Sequence, residues 1–216
     1  MVPPFTADEF FQVFVAYNTA VWPAQILLVG VAVLCLVLAL RPERWAGKTI
    51  MFVLAALWAW MAVAYHWAFF TEINPAARIF GALFLLEAVL LLWVGFRRDD
   101  LRFEPRRDLF GVAGGILISY ALVVYPLLGM ALGHRYPAQP TFGLPCPTTI
   151  FTVGMLIWLK PKVPWGPLIV PLVWSVIGMT AVFYFGVLED TMLPIATITA
   201  TVLILIKNRR ARTAIA

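Results

Sequence analysis

Apolar residues run along this chain in long blocks separated by short polar or basic interludes, so block length rather than periodicity predicts the elements. Seven blocks stand out, at 22–40, 49–71, 75–96, 109–133, 147–159, 166–187 and 191–206. Runs of about 18 or more apolar residues can cross a bilayer as a helix, because ~20 residues rising ~1.5 Å each match a hydrocarbon core of ~30 Å. The expected fold class is an all-α membrane protein, one seven-transmembrane-helix bundle at 22–206. The preceding segment, 1–21, has a different pattern. There Phe10, Phe11, Phe14, Val15 and Tyr17 interleave with Asp8, Glu9, Gln12 and Asn18, as in a short amphipathic helix lying on a membrane interface. A basic tail, 207–216, follows the bundle, and no repeat or low-complexity linker divides the chain.

Charge orients the bundle. The connections at 41–48, 97–108, 160–162 and 207–212 hold 3, 5, 2 and 4 basic residues, 14 of the chain's 16. They alternate with connections that contain only Arg78 and Arg135. Basic loops stay cytoplasmic, so the N-terminus is expected outside and the C-terminus inside, which requires an odd number of crossings. Residues 1–23 carry Asp8 and Glu9 where a signal peptide needs Lys or Arg, so the mature chain is expected to begin at Met1. Composition excludes a soluble globular domain: 62% of the residues are hydrophobic and the mean hydropathy is +0.91, against ~45–50% apolar in soluble domains. The pI of about 9.5 then reflects cytoplasmic loops attracted to anionic lipid head groups rather than to nucleic acid. The expected partners are the bilayer and those head groups. Cys35 in the first block and Cys146 in an outer connection are too far apart to pair, and both are expected as free thiols.

Polar residues that lipid should exclude mark candidate chemistry. Glu87 stands alone near the middle of the third block, where ionisation is penalised, which makes it a candidate proton carrier. Counting helical rise places it level with Ser119 and Tyr120 of the fourth block and Ser175 of the sixth, with His66 about six residues, ~9 Å, above it. A second group belongs to the outer half: Tyr65, His66, Asn74, His134, Arg135, Cys146, Thr148 and Thr149. Glu72, Glu189 and Asp190 are there as well, and read more simply as ordinary polar loop residues.

The fifth block is the odd one. Its apolar stretch 150–159 spans only ~15 Å. The preceding residues 141–149, Thr-Phe-Gly-Leu-Pro-Cys-Pro-Thr-Thr, are therefore expected to dip into the bundle, with Pro147 starting a short helix below the surface. Helices that begin at depth build substrate sites in transporters, and Cys146 at such a cap is a candidate for binding an anion or for an activated thiol.

Several segments, among them Tyr17-Asn18, Trp22-Pro23, Tyr65-His66-Trp67, Asn74-Pro75, Tyr125-Pro126, His134-Arg135-Tyr136-Pro137 and the 141–149 stretch, resemble a bacterial family of multi-pass proteins catalogued as a domain of unknown function. The resemblance spans nearly the whole chain. It implies a bacterial inner-membrane location and supplies no activity.

Three classes of function fit these features. The first is a transporter or channel for a small solute, proton or metal ion with an outward-facing polar site. The second is an accessory or assembly subunit without chemistry of its own. The third is a membrane enzyme using Cys146 with His134, whose thiolate chemistry needs the two side chains within hydrogen-bond reach. Transport is expected over catalysis. Cys146, His66 and His134 are weak metal candidates, because their spacing is not that of a ligand set. No nucleophile elbow is present, no cofactor is implied, and a retinal pigment is excluded because Lys207 lies at the cytoplasmic end of the last block.

Overall fold

Thr6 and Glu9 start the first helix, α1 (Ala7–Ala20), with a reciprocal capping box: Glu9 N donates to Thr6 Oγ1 at 3.2 Å and Thr6 N to Glu9 Oε2 at 2.7 Å. The bonds from Thr6 hold the Glu9 carboxyl below its ordinary pKa. One face of α1, Phe10, Val13, Phe14, Tyr17 and Asn18, is buried at the i, i+3, i+4, i+7, i+8 spacing of an amphipathic helix. The chain then turns by 85° into α2 (Ala24–Ala39). The structure is a computed structural model that describes residues 4–41 and 43–213, the side chains of residues 212 and 213 excepted. The ends of the interfacial segment (1–3) and of the basic tail (214–216) lie outside the described residues, as does position 42 in the first basic connection.

The architecture is all-α, and its helices fall at the predicted places: α3 (Arg44–Trp60), α4 (Ala77–Arg97), α5 (Leu109–Ser119), α6 (Tyr125–Ala131), α7 (Pro145–Trp158), α8 (Gly166–Phe185) and α9 (Met192–Thr213). Among the described residues, five helical stretches are long and apolar enough to cross a membrane: Arg44–Glu72, Ala77–Arg97, Leu109–Ala131, Gly166–Phe185 and Leu188–Ala211. The bent pair of α1 and α2 makes a sixth if counted as one span. The first and fifth predicted blocks correspond to helices of only 16 and 14 residues, about 24 and 21 Å long. Neither qualifies alone, so five or six candidate spans stand where seven are expected.

Two stretches depart from α geometry. A π-helical turn, Met61–Trp67, continues α3, and another, Tyr120–Val124, joins α5 to α6. Wide turns of this kind recur at functional sites. These two carry Tyr65, His66 and Tyr120. The basic connections also hold something the hydropathy pattern did not announce: residues Arg102–Phe103 pair antiparallel with Leu159–Lys160 as a two-stranded ribbon. Its exposed flanks are neutralised by Lys160 with Glu104 (3.1 Å) and Arg98 with Asp100 (3.1 Å). Lys48 lies 2.5 Å from Asp99, and that contact holds the Asp99 carboxyl below its ordinary pKa.

At the centre of the bundle is α7. Every residue from Pro147 to Trp158 is buried, whereas the other apolar helices expose one face. Its short length has a structural cause at each end. At its start, Gly143 adopts φ +99°, and a Cβ there would lie 2.4 Å from Leu28 Cδ1, so the tight entry turn requires glycine. At its end, the buried Lys207 donates to the carbonyls of Ile157 (2.8 Å) and Leu159 (2.6 Å), closing the helix with a cation at its negative pole. Gly154 of α7 and Gly114 of α5 bring their backbones into contact, the small-residue packing common between membrane helices.

Candidate functional site

The end of the bundle that bears α1 is closed by loop 133–144, and one side chain holds that loop down. Asn18 donates from Nδ2 to the carbonyls of Pro137 (2.7 Å) and Gln139 (2.8 Å). Its Oδ1 accepts from Gln25 Nε2 (2.9 Å) and Thr141 Oγ1 (2.8 Å). All four hydrogen-bonding positions of this fully buried amide are used. The Asn18 carbonyl also accepts from Tyr136 at 3.1 Å, and Gln139 Nε2 donates to the carbonyl of Pro126. Two stretches more than a hundred residues apart in sequence thus converge on one amide.

Beneath this cap lies a pair of buried acids. Gly186, at φ +72°, ends α8 with its N–H on Val182 and the next N–H on Ala181, and a 3₁₀ turn, Leu188–Thr191, leads into α9. That turn points Glu189 and Asp190 inward, 0% and 3% exposed. Glu189 Oε1 pairs with His134 Nδ1 at 2.8 Å, and the Glu189 carbonyl accepts from Tyr120 at 2.8 Å. Asp190 Oδ1 accepts from the Tyr125 hydroxyl at 2.5 Å, and its carboxyl also lies against the thiol of Cys146. A start of a helix, positive in its dipole, suits both carboxylates.

Asp190, Tyr125, Cys146 and Trp174 line one side of a partly open cavity of about 260 Å³. Its remaining walls are overwhelmingly aromatic and apolar: Phe5, Phe10 and Phe14 from the N-terminal segment, Tyr65, Phe70 and Phe80 from the helical hairpin opposite, Phe185 and Ala181 from α8, and prolines flanking Cys146. The rings stack closely, with Phe10 4.4 Å and Phe5 5.2 Å from Phe185, and Tyr65 5.5 Å from Phe70. A volume near the lower end of small-molecule pockets, a few polar groups at one end and apolar walls elsewhere are the attributes of a site for a small organic ligand.

The sequence-predicted residues sort into those this site gathers and those it does not. Tyr65, Asn74 and Cys146 border the cavity, and His134 stands behind it in the bond to Glu189. Thr148 accepts from Gly143 N at 3.0 Å, and Thr149, buried in the first turns of α7, has no side-chain partner among the described residues. Asn74 Oδ1 accepts from Ala76 N (3.1 Å) in the turn before α4, while Arg135 is exposed. His66 is fully buried among rings, 4.6 Å from Phe84 and 5.2 Å from Trp174, and neither of its nitrogens has a partner among the described residues. Glu87 is likewise fully buried with both oxygens unpartnered.

The polar layer expected around Glu87 does not form. The Tyr120 hydroxyl is taken by Glu189, Ser175 bonds the carbonyl of Leu172 on its own helix (2.7 Å), and Ser119 faces outward. Equal depth along a bundle does not fix rotation about each helix, which is why counting rise misplaced these groups. Cys146 and His134 are also apart in their bonding, one on Asp190 and the other on Glu189, so no thiolate pair is assembled. The start of α7 offers little to an anion, because Pro145 and Pro147 remove two of its amide donors and two carboxylates stand nearby. No cluster of three or more His, Cys, Asp or Glu side chains suited to a metal occurs among the described residues, and Cys146, His66 and His134 are not gathered. Both cysteines are free.

Sequence reasoning passed over Asp190, Tyr125 and Trp174 as site residues. The signal that could have marked Asp190 is Glu189-Asp190 immediately before an apolar block, the preferred place for acids at a helix start but here preceded by a glycine that turns them inward. The chain matches a family of unknown function, DUF6064, over residues 7–215, and belongs to it. No curated protein and no solved structure matches it.

Proposed function

We propose that this member of the DUF6064 family is a multi-pass membrane protein that receives a small amphiphilic solute in an outward-facing cavity, the entry site of a transport route. The observation that carries the reading is the aromatic cavity of about 260 Å³ with Asp190 in its wall. In this reading α1 lies along the outer interface, as its 85° angle to α2 and its one-sided burial support. The chain crosses seven times, with α2 and the central α7 as short crossings. The connections rich in Lys and Arg lie on the cytoplasmic side of a bacterial inner membrane, where they meet anionic lipid. Exposed Trp45, Trp93 and Trp165 near the basic connections, and exposed Trp22 and Tyr136 at the α1 end, fit two interfacial aromatic belts. Glu87 and His66, buried and unpartnered further down the bundle, are the groups along the route that a moving proton would use.

Cys146 makes the reading testable, because the other thiol, Cys35, is fully buried. In right-side-out membrane vesicles, a membrane-impermeant sulfonated maleimide is expected to label Cys146, and filling the cavity with Ala181→Phe is expected to slow the labelling at least tenfold. Labelling confined to inside-out vesicles, or labelling indifferent to Ala181→Phe, would overturn an outward-facing site.

A further inference from the structure

We infer that the solute of this cavity is an organic ammonium ion with a compact apolar body; the inference rests on the proposed solute-binding reading and names its ligand class. Charge decides first. Asp190 is 3% exposed and stands in the cavity wall, and no Lys, Arg or His lines the cavity among the described residues. Its neighbour Glu189 is paired through Oε1 with His134, whereas Asp190 has two neutral partners, the Tyr125 hydroxyl and the Cys146 thiol. A buried carboxylate without a counter-ion is costly, and a cationic ligand supplies the missing charge.

The walls decide between cations. A small inorganic ion needs several oxygen ligands, and apart from Asp190 this lining presents mostly rings and proline. Aromatic side chains instead attract alkylated ammonium groups, which shed water readily, and Tyr65, Phe80 and Trp174 line the same cavity as the carboxylate. Phe80 and Trp174 pack edge to face at 72° with centroids 5.7 Å apart, which holds the two rings rigidly in that wall. The apolar remainder of the cavity, toward Phe10 and Phe185, accommodates the body of the ligand.

The test compares two probes of one shape on the purified full-length protein in nanodiscs: benzyltrimethylammonium and its uncharged carbon analogue, neopentylbenzene. Thermal shift and tryptophan fluorescence are expected to show saturable binding of the cation, with the neutral analogue at least tenfold weaker. Asp190→Asn keeps the shape and the Tyr125 bond while removing the charge, and is expected to weaken the cation at least tenfold without affecting the neutral probe. Equal affinity for the two probes, or unchanged cation affinity in folded Asp190→Asn, would overturn the ammonium assignment and leave the solute-binding cavity standing. Binding of neither probe, together with Cys146 labelling that ignores Ala181→Phe, would remove both. Should Asp190→Asn not fold, the two-probe comparison on the unaltered protein still decides.

Discussion

Two buried acidic regions of this molecule look alike in burial and differ in everything else. Glu87 sits in the middle of α4 with both carboxyl oxygens unpartnered. Asp190 and Glu189 sit at the head of α9, each hydrogen-bonded to side chains from other elements and roofed by a loop that Asn18 holds in place. The first is a lone polar group inside an apolar bundle. The second is an arranged constellation with an adjoining space. Burial is common to both, and convergence of partners from distant segments is what sets the constellation apart from the lone group.

The largest effect that would break this comparison is expected from Asn18→Ala. It removes four side-chain hydrogen bonds, so the Pro137 and Gln139 carbonyls and the part-buried Thr141 hydroxyl lose their bonds to the amide while Gln25 keeps one to the Asn18 carbonyl, at ~1–3 kcal/mol for each buried group left unsatisfied. Thermal unfolding in detergent should record a loss of about 3–5 kcal/mol, with faster maleimide labelling of Cys146 as the roof loosens; a change under about 1 kcal/mol would mean that loop 133–144 is held by something else. Next comes His134→Ala, which removes the bond to the Glu189 carboxyl. It is expected to cost about 2–3 kcal/mol, and the double variant with Glu189→Gln should cost clearly less than the sum of the singles. Strict additivity in that cycle would show the pair to be uncoupled.

Glu87→Leu points the other way. Replacing an unpartnered buried carboxyl with an apolar side chain should stabilise the protein by about 1–2 kcal/mol and leave Cys146 labelling unchanged, whereas destabilisation would put Glu87 in the same class as Glu189. Such a group is retained against stability where function needs it, so a proton-coupled flux should fall in this variant. The smallest effect concerns α1. Because the Thr6 bonds lower the Glu9 pKa, the capping box contributes fully above the ordinary carboxylate range and fades as pH falls through the lowered folded value. Amide exchange in the first turn of α1, corrected for the intrinsic effect of pH, should therefore speed up in acid. Exchange that stays constant down to the lowest pH would show that packing of Phe10 and Phe14, not the cap, holds the helix start.

Much of the scaffold was legible from the chain. Block length located every long helix, the interleaving of Phe10, Phe11, Phe14, Val15 and Tyr17 with polar residues located α1, and a ten-residue apolar stretch after Pro147 announced that the fifth helix is short. The site was legible only in fragments. Cys146 and Tyr65 were named, yet Glu189 and Asp190 read as loop acids, because adjacency to a helix start is the commonest harmless place for a carboxylate. Ser119, Tyr120 and Ser175 were grouped with Glu87 by depth alone. Their hydroxyls instead face outward, reach Glu189, or bond their own helix.

By itself the sequence determined what is additive along the chain: apolar length, the places of the basic connections, the amphipathic first helix and the freedom of two thiols. These follow from local composition and a fixed rise per residue. Only the tertiary structure decided which polar groups meet, because that depends on the rotation of each helix about its axis and on a loop returning across more than a hundred residues to Asn18. Hydropathy constrains neither, since a helix surrounded by lipid and protein is apolar nearly all round. The cavity between α1, α7 and α8 is therefore a property of packing, and the single carboxylate in its wall acquires its meaning there.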